Sequence, residues 1–504
     1  MNFILMNEKT KSKYATTLGA LFKDLNIPLP RGSASLEVNG LADDSRRVNL
    51  GDLFVAVPGF GADGRNYIGE ATSLGAIAVL TAPGFKFKTD VPLILTENLK
   101  MIVPAVADRF YRSPTERLTV AGVTGTNGKT TVTYLLAAIF DSTGQKWGRI
   151  GTTGYDLGGP MLPSSNTTPG PIDLQRYFAT MVERELKGCA MEVSSHAMHQ
   201  GRCEAVKFAS ATFTNLSQDH LDYHKDMQSY FEAKALLFEK APVAVINIDD
   251  AYGRKLIDRA IGKTITFSSE RKADLKYRAV KADIHISTLE FEYEGRSLQF
   301  DLPLSGWFNH QNAAAAAATA LGLGLSLEQV AEGLSSAPPV PGRLQAVKMG
   351  QPFGVYIDYA HTPDALEKLL LSLRQFEPKN LRVVFGCGGD RDRTKRPIMG
   401  EVVSKLADIV YITSDNPRTE EPAAIIKDIV KGIIDKNQCN VIEDRSQAIK
   451  TALSGAQEGD IVVIAGKGHE DYQVIGTVKK YFSDFEVAKS TLNKLGYAGN
   501  DRNG

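Results

Sequence analysis

Short apolar segments recur along the chain, and most of them are continuous and rich in valine and isoleucine. Continuous segments of this kind are typical of parallel strands that are buried on both faces of a sheet. Helix-like stretches separate them, and the six consecutive alanines at 313–318 are interpreted as a closely packed helix. The pattern therefore predicts α/β domains. The predicted strands lie at residues 54–57, 76–80, 118–123, 243–248, 355–357, 381–385, 409–413 and 461–465.

Two breaks in this pattern indicate domain boundaries. Residues 111–115 are polar and contain a proline, and residues 337–342 contain three prolines within four positions, which no helix continues through. A length of 504 residues, at about 150 residues per domain, also favours roughly three domains. We predict domains at 1–114, 115–340 and 341–504.

Composition excludes several classes of protein. The 58 basic and 58 acidic residues give a formal net charge of zero, which argues against a dedicated nucleic-acid binder. No apolar run approaches the ~18 residues of a membrane-spanning helix, so no membrane association is expected. The apolar run at residues 3–6 is too short for the core of a secretory signal.

The four cysteines lie far apart and form no C-x-x-C pair. They are Cys189, Cys203, Cys387 and Cys439. This spacing argues against a zinc site. Buried, reduced thiols are expected instead, which fits a protein of the reducing cytoplasm.

A glycine-rich segment at residues 122–131 lies between a predicted strand and a predicted helix. Its glycines would let backbone N–H groups approach phosphate oxygens at the start of the helix. Lys129 would reach the terminal phosphates, and the hydroxyl of Thr130 would hold Mg²⁺. The strict phosphate-loop pattern fails at one position, because Val123 stands where its first glycine belongs. The alternative is a glycine-rich turn that carries an incidental lysine.

A second group of polar segments follows the phosphate loop. Glu192 comes directly after the apolar run 189–191, so its carboxylate is predicted at the carboxyl edge of a sheet, where ligands of α/β proteins gather. Mg²⁺ is usually held by few carboxylates together with phosphates, and Glu192 with Thr130 would meet that need. Taken singly, His196, His199, His220 and His224 are more typical of structural or surface residues. The group comprises residues 166–169, 192–196, 219–224 and 230–234.

These segments together resemble the motifs of the Mur ligase family, in the order in which the family has them. The resemblance extends from about residue 40 to the end of the chain and depends on no single motif. The matching segments are Gly125–Thr131, Glu192–His196, Asp219–Asp222, Phe308–Asn312, Pro341–Arg343, Asp358–Asp364 and Asp415–Arg418.

The resemblance implies a fold of three α/β domains. It implies an N-terminal UDP-substrate domain, a central ATPase domain with a phosphate loop and a parallel-rich sheet, and a C-terminal Rossmann-like domain that binds an amino acid. The implied reaction is ATP-dependent amide formation through an acyl-phosphate, in the cytoplasmic part of peptidoglycan synthesis. The expected substrates are UDP-N-acetylmuramoyl-L-alanyl-D-glutamate and meso-2,6-diaminopimelate, with ATP and Mg²⁺ as cofactors and a monomeric enzyme.

The resemblance also implies roles for individual residues. Thr130 and Glu192 would hold one magnesium ion, and His220 with Lys234 would help to hold a second. An ammonium has no lone pair to offer a cation, and in this family the lysine that matches Lys234 is carbamylated, which makes it an anionic oxygen ligand. Lys129 completes the predicted catalytic set. The predicted ATP site comprises Gly125, Thr126, Asn127, Gly128, Lys129, Thr130, Thr131, Asn309, Asn312, Arg343, Asp358 and His361.

Two further sets of residues match the substrate positions of the family. Asp43 departs from it, since the usual residue there is apolar, and Phe60 and Gly61 replace a pair that is often polar. Glu470 would pair with the ammonium at the distal centre of the amino acid, and Arg418 would bind its carboxylate. The predicted UDP-substrate site comprises Ser45, Phe60, Gly61, Ala62, Thr167, Thr168, Ser194, Gln200 and Arg202. The predicted amino-acid site comprises Arg391, Asp415, Asn416, Pro417, Arg418, Gly466 and Glu470.

Several alternatives stay open at this point. The amino acid could be L-lysine, or the chain could be a related ligase of the folylpolyglutamate type. The segments 44–46 and 51–56 favour a UDP-muramyl substrate over the latter. A non-catalytic nucleotide-binding scaffold would be expected to lose Lys129, Glu192, His220 or Lys234, and all four are present. Arg418 could instead form a structural salt bridge with a following glutamate, Glu420 or Glu421.

Overall fold

The computed structural model describes residues 12–59, 63–85, 88–283 and 286–497. Its strands are β1 (Thr16–Thr17), β2 (Glu37–Val38), β3 (Gly40–Ala42), β4 (Asp52–Ala56), β5 (Ala78–Thr81), β6 (Leu93–Leu95), β7 (Thr119–Thr124), β8 (Trp147–Gly151), β9 (Gly154–Asp156), β10 (Gly188–Glu192), β11 (Phe208–Phe213), β12 (Val243–Asn247), β13 (Lys263–Ser268), β14 (Leu275–Ala282), β15 (Ser287–Tyr293), β16 (Arg296–Leu302), β17 (Gln345–Ala346), β18 (Gly354–Asp358), β19 (Leu381–Phe385), β20 (Ile409–Ile412), β21 (Cys439–Val441), β22 (Ile461–Ala465), β23 (Tyr472–Ile475) and β24 (Val478–Tyr481).

Helices alternate with these strands along the chain. The α-helices are α1 (Leu18–Leu21), α2 (Ile68–Ser73), α3 (Leu99–Phe110), α4 (Lys129–Ser142), α5 (Pro171–Glu183), α6 (Ser195–His199), α7 (Leu221–His224), α8 (Met227–Ala235), α9 (Ala251–Leu256), α10 (Trp307–Gly322), α11 (Leu327–Ser335), α12 (Pro363–Arg374), α13 (Lys395–Leu406), α14 (Pro422–Val430), α15 (Arg445–Ser454) and α16 (Asp484–Lys494). Short 3₁₀ turns lie at Ser45–Arg47, Gly64–Tyr67, Pro114–Glu116, Ile257–Arg259 and Lys436–Gln438.

The predicted strands and helices are confirmed, and so is the α/β fold class. Every apolar segment predicted as a strand contains one, from β4 near the N-terminus to β22 near the C-terminus. The six alanines lie within α10 and are at most 1% exposed, because a methyl side chain lets α10 pack closely against α4. Three of the cysteines are buried and the fourth, Cys439, is partly buried; none of the four forms a disulfide.

The chain divides into two compact units. The first comprises residues 1–121, 146–150 and 154–209, and the second comprises residues 122–145, 151–153 and 210–504. This division reflects only the compactness of each unit and does not test the three domains predicted from the sequence. Those domains stay a prediction. Among the described helices, none combines the length and the apolar character that crossing a membrane requires.

The first unit contains a parallel sheet with strand order β3-β4-β5-β6. Leu53, Val55 and Leu80 are at most 1% exposed and form a core with helix α3, whose apolar face includes Val106 and Phe110. In the same unit, β10 pairs in parallel with β8. Burial of both faces explains why these strands have continuous apolar sequences.

The second unit contains the strand order β16-β15-β14-β13-β12-β11-β7 and a six-stranded sheet of order β17-β18-β22-β19-β20-β21. All neighbours in the six-stranded sheet are parallel except β17 and β18. Two apolar clusters cover this sheet, one including Leu370 and Phe385 and the other Val462 and Leu492. The carboxyl ends of β18, β19, β20 and β22 therefore lie along one edge, where ligand sites of α/β folds occur.

Candidate active site

The phosphate loop connects β7 to α4, as the sequence predicts. Gly125 and Gly128 have φ angles of 148° and 89°, which side chains with a Cβ rarely adopt. A Cβ on Gly125 would lie 1.9 Å from Oγ1 of Thr214, and one on Gly128 would lie 2.2 Å from Oδ1 of Asn312. Both glycines are therefore required by the backbone conformation and by close neighbours. The loop leads directly into the N-terminus of α4, whose partial positive charge favours phosphate.

Lys129 is folded back over this loop. Its Nζ donates hydrogen bonds of 3.0 Å to the carbonyl of Gly125 and 2.8 Å to that of Thr126. The next two residues, Thr130 and Thr131, are 2% and 3% exposed in the first turn of α4. An ammonium in this position can neutralise the charge of phosphate oxygens that bind the loop.

The segment after β11 holds the loop from the other side. Oγ1 of Thr214 donates to the carbonyl of Asn127 at 2.6 Å, and the Asn127 N–H donates to Oδ1 of Asn215 at 3.0 Å. The Thr126 hydroxyl donates to the carbonyl of Ser217 at 3.1 Å. These bonds fix the loop backbone before any nucleotide binds. Thr214 and Asn215 were not predicted, because they carry no signal in the sequence beyond their polarity at a strand end.

Asn309 and Asn312 support the loop from helix α10. They are 1% and 5% exposed. Nδ2 of Asn309 donates to the carbonyl of Ser305 at 2.8 Å, and Nδ2 of Asn312 donates to Oδ1 of Asn309 at 3.3 Å. Because Oδ1 of Asn312 lies close to Gly128, the structure brings both asparagines to the predicted nucleotide site.

Lys234 lies directly beneath the loop. It is 2% exposed, its Nζ donates to the carbonyl of Gly125 at 2.9 Å, and the same atom lies 4.5 Å from the ring centre of Tyr230. Burial, and secondarily the nearby charge of Lys129, lowers the pKa of Lys234 well below its ordinary value. A lowered pKa favours the neutral amine, which is the form that reacts with CO₂. The surroundings of Lys234 thus fit the carbamate that the family resemblance implies.

His220 lies near the same tyrosine. Its ring centre is 6.1 Å from that of Tyr230, and its Nε2 is 3.4 Å from Oδ2 of Asp219. His220 has a φ of 54°, in the left-handed region. The hydroxyl of Tyr230 lies 3.4 Å from Oγ1 of Thr126 in the loop. The structure therefore groups His220 and Lys234 around one tyrosine that contacts the phosphate loop.

The side chains around the phosphate loop can supply only part of the ligand shell of a magnesium ion, and a bound nucleotide would supply the rest. Within the described ranges, no group of three or more histidine, cysteine, aspartate or glutamate side chains could hold a metal ion. Mg²⁺ in phosphate-binding sites usually takes one or two carboxylates and completes its shell with phosphate oxygens and water. Within the second unit, the hydroxyl of Thr130 and a carbamate on Lys234 would supply such oxygens, and His220 would add a nitrogen. These residues fit the expected ion.

Arg343, Asp358 and His361 lie at the carboxyl end of β18. Nη2 of Arg343 donates to Oγ1 of Thr130 at 3.0 Å, and its guanidinium lies 4.5 Å from the ring centre of Tyr359. The carboxylate of Asp358 is buried and accepts backbone N–H bonds of 2.7 and 2.8 Å. Burial raises the pKa of Asp358. The His361 ring lies 4.6 Å from that of Tyr359. The structure thus brings Arg343 to the start of α4, beside the expected phosphates.

The predicted amino-acid residues meet at the carboxyl ends of β19, β20 and β22. Asp415 and Asn416 follow β20 and are 7% and 4% exposed. Nδ2 of Asn416 donates to Oε2 of Glu470 at 2.9 Å. A Cβ on Gly466 would lie 2.7 Å from Oδ2 of Asp415, so these two residues are also neighbours. A fifth residue, Lys467, is buried with its Nζ 3.1 Å from Oε2 of Glu470.

Strand β23 holds Arg418 in place. The Arg418 N–H donates to the carbonyl of Val474 at 3.0 Å, and the N–H of Gly476 donates to the carbonyl of Arg418 at 2.7 Å. These bonds stabilise a φ of 51°, which is uncommon for a residue with a side chain. Nη1 of Arg418 donates to the carbonyl of Gly389 at 2.7 Å, in the loop that contains the exposed Arg391.

Two residues that were not predicted, Lys467 and Gln473, position this group. Lys467 donates to Oδ1 of Asn416 at 3.3 Å as well as pairing with Glu470. Nε2 of Gln473 donates to the carbonyl of Asp415 at 2.6 Å. Lys467 lies between Gly466 and Glu470, which were both predicted for this site, and that position was a usable signal. Gln473 lies outside every motif, and only its contact shows its role.

The predicted UDP-substrate residues of the first unit meet at the carboxyl end of β10. Oγ1 of Thr168 donates to the carbonyl of Glu192 at 2.8 Å and accepts from the Ser194 N–H at 3.0 Å. Nη1 of Arg202 donates to the carbonyl of Thr168 at 2.7 Å, and its Nε and Nη2 donate to Oε1 of Gln200 at 2.9 and 2.7 Å. The carboxylate of Glu192 is 1% exposed at this edge, as predicted.

A second segment of the same unit lies against this one. Ser45 is buried at the start of a 3₁₀ turn, and Nη2 of Arg47 in that turn lies 2.8 Å from Oδ1 of Asp173 in α5. A Cβ on Gly170 would lie 3.6 Å from Oδ2 of Asp43. The structure thus brings Ser45 towards the segment that contains Thr167 and Thr168. The predicted residues Phe60, Gly61 and Ala62 lie outside the described residues.

The chain is similar to known proteins in sequence and in fold. A family profile described as the Mur ligase middle domain matches residues 123–320, and one described as the Mur ligase glutamate ligase domain matches residues 342–468. A UDP-N-acetylmuramoyl-L-alanyl-D-glutamate--2,6-diaminopimelate ligase from Aquifex aeolicus is 43% identical over 483 residues, which cover 95% of this chain and 98% of the relative. Ligase 1 of the same name from Clostridium acetobutylicum is 40% identical over 480 residues, covering 95% and 99%. A solved structure of a ligase with this name superposes with a TM-score of 0.69 at 33% identity, covering 96% of this chain and all of that one.

Proposed function

Because this chain belongs to the Mur ligase family, we propose that it joins meso-2,6-diaminopimelate to UDP-N-acetylmuramoyl-L-alanyl-D-glutamate. As a member of the family it is an ATP-dependent ligase that requires Mg²⁺. The proposed reaction belongs to the cytoplasmic part of peptidoglycan synthesis. The four free cysteines support a reducing compartment, and we propose a monomer without nucleic-acid or membrane partners.

The chemistry requires activation of a carboxylate. At neutral pH a carboxylate and an amine form a salt rather than an amide, because the carboxylate oxygen is a poor leaving group. In the proposed mechanism, the side-chain carboxylate of D-glutamate attacks the γ-phosphorus of ATP, and ADP leaves. The resulting acyl-phosphate has a good leaving group. The amine of diaminopimelate then attacks the acyl carbon, phosphate departs, and the amine loses a proton.

Phosphoryl transfer of this kind depends mainly on positioning and charge neutralisation. The contacts of Lys129 with the loop carbonyls support its assignment to the terminal phosphates. The bond of Arg343 to Thr130 supports a role for its guanidinium beside the same phosphates, because the planar fork binds oxyanions in pairs. Magnesium would neutralise further phosphate charge, with Thr130, Glu192, His220 and carbamylated Lys234 as its proposed ligands.

One observation carries the choice of amino acid. The chain places an arginine, Arg418, and an anion, Glu470, on neighbouring loops that Asn416 links. The distal centre of meso-diaminopimelate carries one carboxylate and one ammonium, and L-lysine has only the ammonium there. A cation beside an anion suits both charges of the first substrate, whereas lysine would leave Arg418 without a partner carboxylate. This pairing supports diaminopimelate over lysine.

The decisive experiment offers three amino acids side by side. Purified enzyme with the UDP-dipeptide, ATP and Mg²⁺ is given meso-diaminopimelate, L-lysine or L-ornithine, and phosphate release and the ligated product are measured together. We expect product only with diaminopimelate, and phosphate only when both the UDP-dipeptide and the amino acid are present. Equal kcat/KM for lysine would overturn the specificity and leave the ligase assignment intact. Activity with a folate substrate instead of the UDP-dipeptide would overturn the substrate class.

A further inference from the structure

The side chain of Asn127 in the phosphate loop contacts the part of the chain that the glutamate ligase domain profile matches, residues 342–468, as Thr130 does through Arg343. Its Nδ2 donates to Oδ2 of Asp364 at 3.0 Å, across 237 positions of sequence. Its backbone N–H and carbonyl are held by Asn215 and Thr214 near β11. The loop is therefore bound on one side by the central sheet and on the other by helix α12.

Asp364 is well placed to receive these bonds. It lies in the first turn of α12, where the helix dipole favours a carboxylate. Oδ2 of Asp364 also accepts a 2.8 Å bond from the hydroxyl of Ser217, in the segment that holds the loop. Nζ of Lys368, one turn further along α12, lies 2.9 Å from the same carboxylate and helps to orient it. One carboxylate thus joins α12, the loop and the supporting segment.

We propose that Asp364 is a positioning residue that completes the phosphate loop from the C-terminal side. Its carboxylate orients the side chain of Asn127, and the position of Asn127 determines the backbone conformation between Gly125 and Gly128. The phosphate-binding shape of the loop then depends on helix α12 being docked against it. The bond between Asn127 and Asp364 consequently couples nucleotide binding to the placement of residues 342–468, in addition to the bond between Arg343 and Thr130. This inference rests on the proposed nucleotide site and adds a residue to which no role was assigned from the sequence.

The test is a double-mutant cycle on nucleotide affinity. The wild type is compared with Asn127→Ala, Asp364→Ala and the double variant. Calorimetric titration with ATP and Mg²⁺ gives the affinity for the nucleotide, and steady-state kinetics gives the KM for ATP and for the amino acid. Glu367→Ala is the matched control, because Glu367 is exposed on the same helix, one residue before Lys368. Thermal unfolding of each variant is recorded to separate folding from positioning, and Asp364→Glu tests whether a carboxylate at this position suffices.

We expect each single variant to weaken ATP binding about tenfold, as for loss of a hydrogen bond to a charged group. The double variant should bind ATP no more weakly than either single variant, because the two substitutions remove the same interaction. The KM for the amino acid should stay within about twofold of the wild type, and Asp364→Glu should recover part of the loss. Multiplicative losses in the double variant, or an equal loss in Glu367→Ala, would overturn the inference. If wild-type protein fails to bind ATP, the proposed nucleotide site itself fails, which is a separate outcome.

Discussion

Nη2 of Arg396 lies 2.8 Å from Oε1 of Glu420, and this ion pair joins the two loops that carry Arg391 and Arg418. Glu420 also accepts a 2.7 Å bond from the backbone N–H of Asp390. Arg396 is 1% exposed, although it is a charged residue. The carboxylate of Glu420 thus pairs with Arg396 rather than with Arg418. Among the ion pairs of the described residues, none joins Arg418 to Glu420 or Glu421, the two partners that the sequence left open.

Glu420→Gln should loosen both amino-acid loops. The hydrogen bond with Arg396 is the main reason that the pKa of Glu420 is lowered from 4.5 to about 2. We expect a severalfold rise in the KM for the amino acid with little change in the KM for ATP, while exposed Glu421→Gln has no effect. Since the native state lowers this pKa, the pair stabilises the fold above about pH 4.5 and loses that contribution as the pH falls towards 2. The difference in Tm between variant and wild type should therefore shrink at acid pH.

Lys129→Ala should abolish ATP-dependent turnover and leave the fold intact. The ammonium contacts loop carbonyls where phosphates are expected to bind, and it contributes little to an apolar core. Loss of such a contact should cost at least ~1.4 kcal/mol in the reaction barrier, or tenfold in kcat. Steady-state kinetics and circular dichroism check both expectations, with the exposed Lys263→Ala as the control. A variant that keeps more than about a tenth of wild-type kcat would refute the role.

Lys234→Ala should be largely inactive, and added acetate should restore part of the activity. A free carboxylate can imitate the anionic oxygen of a carbamate in the space that the truncated side chain leaves. Lys234→Arg should stay inactive with or without acetate, because arginine cannot become a metal ligand. The wild type with acetate serves as the control. ¹³C NMR after growth in labelled bicarbonate reports the carbamate directly, and full activity of Lys234→Arg would exclude it.

Arg418→Ala should lose activity with diaminopimelate far more than affinity for ATP. A bidentate contact between arginine and carboxylate is worth on the order of ~1.5–3 kcal/mol, or roughly ten- to a hundredfold in kcat/KM. The wild type should discriminate strongly between diaminopimelate and lysine, and the variant should discriminate weakly. The ratio of kcat/KM for diaminopimelate to kcat/KM for lysine, determined for both proteins, measures this discrimination. An unchanged ratio in Arg418→Ala would assign the distal carboxylate to another residue.

Asp484→Asn should destabilise the six-stranded sheet region. Arg445 and Asp484 are both fully buried, with two hydrogen bonds of 2.8 and 2.7 Å, and Arg445 also donates to the carbonyl of Ala465 at 2.9 Å. Removing one charge of a buried pair typically costs about 3–5 kcal/mol, because the other stays without compensation. Denaturant unfolding measures the loss. The exposed pair of Lys405 and Glu401 provides the control, since Glu401→Gln should change stability by less than ~1 kcal/mol.

The sequence by itself determined the local structure and the chemical inventory. The apolar segments predicted β4, β19 and β22, because burial on both faces of a parallel sheet requires continuous apolar residues. The glycines at 125 and 128 predicted the phosphate loop, because only glycine adopts those backbone angles easily. Both signals are local in the chain, so a short window of residues contains them.

Only the tertiary structure decided which polar groups pair. Three such contacts join segments that lie far apart in the chain. They are the bond between Asn127 and Asp364, the ion pair between Arg396 and Glu420, and the bond from buried Lys234 to the carbonyl of Gly125. Apart from the family resemblance, nothing near Lys234 in the sequence separates it from a surface lysine of a helix. Its burial and lowered pKa arise from the loop that folds over it. Side-chain pairing and desolvation are properties of the packed chain, because the low-dielectric surroundings that shift a pKa exist only after distant segments have met.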